Sequence, residues 1–144
     1  MSDIKIYKNL VPLDVCQRIT EMLYNRAEWY AHSYTPRRIN VEINEFPELE
    51  KIMIENFSDY EYRIDQRCYF QIYEKNEYCK NHKDPKGHTL IILIKKPESG
   101  GVLSIGSNVA DLDAGDGVLF DGSIQHRVTT VFEGTRISFA AWFK

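Results

Sequence analysis

The chain has 144 residues, carries a formal net charge of −3 and is 43% apolar. That length supports one domain with a real core and not comfortably two. The mild acidity argues against a broad phosphate-binding surface, and the longest purely apolar runs, such as residues 90–94, are far too short to span a bilayer. The opening Met1-Ser2-Asp3-Ile4-Lys5 lacks the basic-then-apolar pattern of a secretory leader, and Cys16, Cys68 and Cys79 show no C-x-x-C spacing. These features predict reduced thiols and a cytoplasmic protein without a membrane partner.

Residues 4–7 alternate apolar and polar and predict a short strand. Pro12 suits the first turn of a helix, where its missing N–H is not needed. Val15, Ile19, Met22 and Leu23 then recur at helical spacing and predict an amphipathic helix over 13–29. Residues 33–38 read as a loop, in which Tyr34, Arg37 and Arg38 are candidate substrate contacts. Pro47 opens a second helix with Leu49, Ile52, Met53 and Phe57 on one face.

From Tyr60 the texture turns to β. Residues 67–73 are aromatic-rich and strand-like. Asn76-Glu77 marks a turn, and residues 89–94 form a buried strand. Residues 97–101 make a turn containing Gly100-Gly101, which permits a tight backbone path. Short strands follow at 102–105, 118–120, 125–131 and 136–143, separated by Gly115-Asp116-Gly117 and Glu133-Gly134. Many short strands punctuated by glycine, after two helices, predict a sandwich or barrel backed by helices on one face. The expected organisation is a single domain over 1–144, with 1–65 as a helical and β support region and 66–144 as the β core.

Three residues in that core stand out. His82 and Asp84 form an H-x-D pair, and side chains two apart on extended backbone point the same way. His126 begins another strand-like run and qualifies as a third ligand. Two histidines and a carboxylate form the facial triad of non-haem Fe(II) oxygenases, which leaves coordination positions open for a co-substrate and O2.

The segment 115–143 reads G-D-G-V-L-F-D-G-S-I-Q-H-R-V-T-T-V-F-E-G-T-R-I-S-F-A-A-W-F. With the H-x-D pair and Ser99-Gly100-Gly101-Val102-Leu103, it resembles the catalytic core of the 2-oxoglutarate/Fe(II)-dependent dioxygenases, in particular the prolyl hydroxylase-like branch. The resemblance covers residues 67–143. It implies a double-stranded β-helix, a cupin-like jelly-roll, with His82, Asp84 and His126 as iron ligands. It implies that Arg136 pairs with the distal carboxylate of 2-oxoglutarate, that Ser138 supplies a further donor there, and that Tyr73 reaches the co-substrate. Trp142 and Phe120 fit the pattern as packing residues.

The sequence also departs from that pattern. Relatives carry a tyrosine or threonine inside the strand after H-x-D, where this chain has Leu90-Ile91-Ile92-Leu93-Ile94 with only Thr89 at its edge. The chain is short as well, which leaves little room for lids. The implied activity is hydroxylation of a C–H bond with release of succinate and CO2. It uses Fe(II), 2-oxoglutarate and O2, with ascorbate as a supporting reductant. Related halogenases lack the ligand carboxylate, so Asp84 favours hydroxylation. The expected substrate is a protein or peptide residue. The alternatives are the same chemistry on a free amino acid, another small metabolite or a nucleobase, and a non-enzymatic metal-binding jelly-roll module. The net charge and the missing second arginine in 136–143 argue against nucleic acid. The sequence gives no oligomeric state.

Overall fold

A computed structural model describes residues 4–26, 29, 37–60 and 68–143. Two packed sheets form its body. The larger has six strands in the order β1-β9-β5-β12-β3-β2, where β1 is Lys5–Tyr7, β2 Arg37–Val41, β3 Cys68–Tyr73, β5 His88–Lys95, β9 Gly117–Asp121 and β12 Arg136–Phe143. The smaller has four, β4 (Cys79–His82), β10 (His126–Val128), β7 (Leu103–Ile105) and β8 (Asn108–Ala110), in that order. A ribbon of β6 (Ser99–Gly100) and β11 (Val131–Glu133) lies beside them. Every registered strand pair is antiparallel. This is the jelly-roll arrangement of the expected fold class. β1 and β2, from the N-terminal segment, form the two edges of the large sheet.

The period-two alternation of the central strands builds two separate cores. On the outer face, Leu90, Ile92 and Ile94 of β5 and Ile137, Phe139, Ala141 and Phe143 of β12 pack against the helices. Those helices are α1 (Leu13–Tyr24), offering Val15, Cys16, Ile19 and Leu23, and α2 (Pro47–Phe57), offering Leu49, Met53 and Phe57. On the inner face, Ile91, Leu93, Ala140 and Trp142 meet Leu103, Ile105 and Val128 of the small sheet. No helix among the described residues is long and apolar enough to cross a membrane.

Several expectations are corrected. The first helix ends at Tyr24, short of residue 29, because the indole of Trp29 folds back and donates to the Leu23 carbonyl at 3.1 Å. Met22 is 46% exposed, at the edge of the buried stripe. Arg37 and Arg38 lie in a strand, because Ile39 and Val41 alternate with polar residues and bury one face of an edge strand. The run 125–131 is two strands in different sheets, broken where Thr129 pairs its N–H with the Val102 carbonyl. Ser99–Gly100, read as part of a turn, pairs with β11, and β8 is an additional edge strand.

Candidate active site

The small sheet sets the first two ligands. His82 ends β4 and His126 begins β10, and the two are Cα partners in the ladder. Their rings lie 4.3 Å apart at the centroids. Asp84 follows the strand, held by its own N–H donating to the Gly122 carbonyl at 2.8 Å. Its Oδ1 lies 3.5 Å from His82 Nε2, and its Oδ2 lies 3.1 Å from His126 Nε2. The candidate ligand atoms of the three residues all fall within 4.8 Å of one another.

The tautomers follow from the backbone. His82 Nδ1 lies 2.8 Å from the Lys80 carbonyl, and His126 Nδ1 lies 2.8 Å from the Ile124 carbonyl. A carbonyl only accepts, so each Nδ1 donates a proton to the backbone and each Nε2 is the ring atom turned towards Asp84. That is the arrangement that prepares histidines as metal ligands. Thr89 Oγ1 donates to Asp84 Oδ2 at 2.8 Å and fixes the carboxylate from behind. Burial works against ionisation of Asp84, but His126 and then His82 outweigh it and hold the carboxyl below its usual range. Burial likewise opposes a charge on His82, but Asp84, Cys79 and the Lys80 carbonyl together push its pKa up to about 10. A cation at this point would take the place of the shared proton.

The large sheet supplies the rest. One cavity is lined by the triad together with Tyr69, Gln71, Tyr73 and Arg136. Arg136 is only 1% exposed and has no ion pair among the described residues. Its Nε donates to the Gly101 carbonyl at 3.1 Å, and its Nη1 donates to Ser138 Oγ at 3.1 Å. The rest of the guanidinium fork has no partner among the described residues. Burial lowers the pKa of Arg136. Tyr73, its Cα partner on β3, puts its ring centroid 5.3 Å from the guanidinium carbon. The Tyr73 hydroxyl is buried without a hydrogen-bond partner, and burial and then the adjacent Cys79 raise its pKa well above the ordinary value.

Ser138 spends its own hydrogen on Gln71 Oε1 at 2.9 Å while accepting from Arg136. It orients the guanidinium, and Gln71 orients Ser138. Gly101 has φ +64°, and a Cβ there would lie 2.9 Å from Val131 Cγ2 and 3.3 Å from Arg136 Cδ. Its bare backbone lets the arginine lie against it.

The structure thus brings His82, Asp84, His126, Arg136 and Tyr73 to one cavity, with Ser138 directly behind Arg136. Arg37 is not part of it and faces Glu74 and Glu77. Arg38 stacks over Tyr69, and Tyr34 lies outside the described residues. Sequence reading missed Gln71, although a lone polar residue sharing strand parity with Tyr69 and Tyr73 was a usable signal. It also undervalued Thr89, whose partner Asp84 becomes apparent only once β5 is placed.

A buried cation without a counter-ion and a buried hydroxyl without a partner are both rare, since buried polar groups are almost always satisfied. Beside two prepared histidines and a carboxylate, they fit a divalent metal and a carboxylate-bearing co-substrate.

No protein-family model and no curated protein matches the sequence. Solved structures do match in fold. The viral collagen prolyl hydroxylase of Paramecium bursaria Chlorella virus-1, in its 2OG complex, is 13% identical with a TM-score of 0.75, over 97% of this chain and 94% of that one. A Pseudomonas putida prolyl-4-hydroxylase is 15% identical with a TM-score of 0.73, over 98% and 91%. A Trichoplax adhaerens prolyl hydroxylase, solved with a peptide fragment of the hypoxia-inducible-factor oxygen degradation domain, is 14% identical with a TM-score of 0.74, over 97% and 82%. The chain shares the jelly-roll fold of these enzymes.

Proposed function

We propose that the protein is a 2-oxoglutarate/Fe(II)-dependent dioxygenase that hydroxylates a C–H bond, on a peptide or protein residue in the manner of a prolyl hydroxylase. The observation that carries this is the buried, unpaired Arg136 opening into the same cavity as the His82–Asp84–His126 cluster. A module that merely held a metal would have no use for a desolvated guanidinium beside it. The fold neighbours support the reading, and one of them was solved with a peptide fragment.

Bound together, Fe(II), 2-oxoglutarate and O2 supply an oxidant that hydroxylates the substrate and leaves succinate and CO2. His82, Asp84 and His126 would hold the metal through Nε2 and carboxylate oxygens. Asp84 contributes one negative charge, and Thr89 keeps its Oδ2 in place. Arg136 would receive the far carboxylate of 2-oxoglutarate, as a planar fork shielded from water. Ser138 and Gln71 hold that fork in orientation. Tyr73 would donate its hydroxyl hydrogen to a co-substrate oxygen, and its raised pKa keeps that hydrogen in place. Leu103, Val128 and Ile91 line the remaining wall and exclude water. The buried thiols of Cys16, Cys68 and Cys79, none of them in a disulfide, support a reducing, cytoplasmic setting.

The test is turnover. Purified protein with Fe(II), ascorbate, O2 and 2-oxoglutarate is assayed for succinate and for an added oxygen atom on proline-containing peptides. Succinate formation that both Arg136→Ala and His126→Ala abolish is the expected result. Folded wild-type protein that binds neither Fe(II) nor 2-oxoglutarate would overturn the reading in favour of a non-enzymatic jelly-roll module.

A further inference from the structure

The two adjacent arginines of β2 have different surroundings. Arg37 has its guanidinium 3.4 Å from Glu77 and 3.7 Å from Glu74. Arg38 has no ion pair among the described residues. Its Cα partner on β3 is Gln71, and the partner of Gln71 on β12 is Ser138. Arg38 therefore stands at the edge-strand end of a polar row, Arg38–Gln71–Ser138, crossing the inner face of the large sheet. Its Cζ lies 3.5 Å over the centroid of the Tyr69 ring, and Tyr69 lines the cavity that holds the triad. The same ring meets Trp142, with centroids 4.8 Å apart.

Two N–H groups beside Tyr69 have no acceptor. Arg38 Nε is buried without a partner, and so is the indole N–H of Trp142, a residue only 8% exposed. Stacking on an aromatic face leaves the in-plane N–H groups of a guanidinium free to bind at its edge. Both unsatisfied groups here are donors, and one of them belongs to a guanidinium. The missing complement is an acceptor carrying negative charge, and a carboxylate meets both requirements. Arg136 is separately engaged with Gly101 and Ser138, and Arg127 lines the cavity from β10, so Arg38 is a further cationic position, set against that cavity through the Tyr69 ring.

We propose that Arg38 is a specificity-determining residue that takes a carboxylate of the substrate close to the carbon being oxidised, so that the enzyme selects acidic substrates. The inference rests on the hydroxylase reading of this cavity and names the class of substrate it takes. The carboxylate comes either from an Asp or Glu side chain in a peptide or from a free amino acid.

Selection by binding tests it. Protein loaded with Mn(II) and 2-oxoglutarate is immobilised and offered a peptide library with proline at the centre, degenerate flanks and both ends blocked, so that side chains are the only carboxylates. A mixture of free amino acids forms a second arm. Wild type should enrich Asp and Glu in the flanks at least tenfold. Arg38→Gln should lose that preference, and Arg38→Glu should invert it towards Lys and Arg. Retention of free amino acids by wild type and not by Arg38→Glu, with no peptide enrichment, places the carboxylate on a small molecule and sustains the proposal. The same flank composition in wild type and Arg38→Glu, or no retention of either pool by wild type, overturns it. Metal and 2-oxoglutarate binding, measured on the same samples, reports separately on the hydroxylase reading. The Arg38 variants should keep both, and unchanged circular dichroism shows that they fold.

Discussion

The two faces of the large sheet are built from the same strands and do opposite things. On β12, Ile137, Phe139, Ala141 and Phe143 face α1 and α2 across pure hydrocarbon, while Arg136 faces the cavity with Ser138 behind it. On β3, Cys68, Phe70 and Ile72 face the helices, while Tyr69, Gln71 and Tyr73 face inward. All these residues are buried, so burial alone does not separate scaffold from site. What separates them is satisfaction. The outer face holds one buried polar atom that lacks a partner, His88 Nδ1 at the end of β5 beside Tyr60, whereas the inner face holds the Tyr73 hydroxyl, the Trp142 indole N–H and Arg38 Nε, beside an Arg136 guanidinium without an ion pair among the described residues. The helix-backed side supplies stability, and that stability lets the inner side keep groups unsatisfied.

That contrast can be broken from either side. Asp84→Ala should have the largest effect. Metal affinity should fall by more than ~100-fold, beyond the loss that follows removal of a supporting hydrogen bond, with the fold retained, as followed by Mn(II) titration. Phe139→Ala, on the outer face of the same sheet, should destabilise the protein by about 3–5 kcal/mol in urea and leave metal affinity unchanged. If it weakened metal binding in the folded protein, the faces would not be independent.

Thr89→Val keeps shape and removes only the donor to Asp84. It should weaken metal binding by roughly 10–100-fold and barely move the unfolding midpoint.

The smallest effect concerns Asp116, at the β1–β9 edge away from the site. Its carboxylate accepts from the backbone N–H groups of Asn9 and Asp113 and pairs with Lys8. Burial opposes its charge, but these partners outweigh it and lower its pKa from 3.8. A depressed folded pKa means that the stabilisation is present above about 3.8 and fades as pH falls through the lower folded value. Asp116→Asn should therefore cost about 1 kcal/mol near neutral pH and flatten acid unfolding below pH 4, with metal binding unchanged.

The sequence exposed the chemistry of the site more clearly than its support. His82, Asp84, His126 and Arg136 were identifiable because their spacing and types form a recognisable set, and a sandwich or barrel followed from short glycine-punctuated strands, while the jelly-roll was implied by the family resemblance. Hidden contributors such as Gln71 and Thr89 act through partners on other strands, and pairing is a tertiary fact that periodicity does not carry. β2 was misread for a related reason. Arg37 and Arg38 look like a solvated connection until Ile39 and Val41 are seen to bury against the helices. The early end of α1 has a cause that local propensity cannot see, a tryptophan indole reaching back to a carbonyl.

The most direct measurement is calorimetric titration of 2-oxoglutarate into anaerobic Fe(II)-loaded protein, beside metal-free protein and Arg136→Gln. A metal and a diacid sharing the cavity predict one-to-one binding that needs the metal and weakens at least ~10-fold in the variant, from loss of a charge-assisted pair. Absence of binding, or binding indifferent to both the metal and Arg136, would contradict the account.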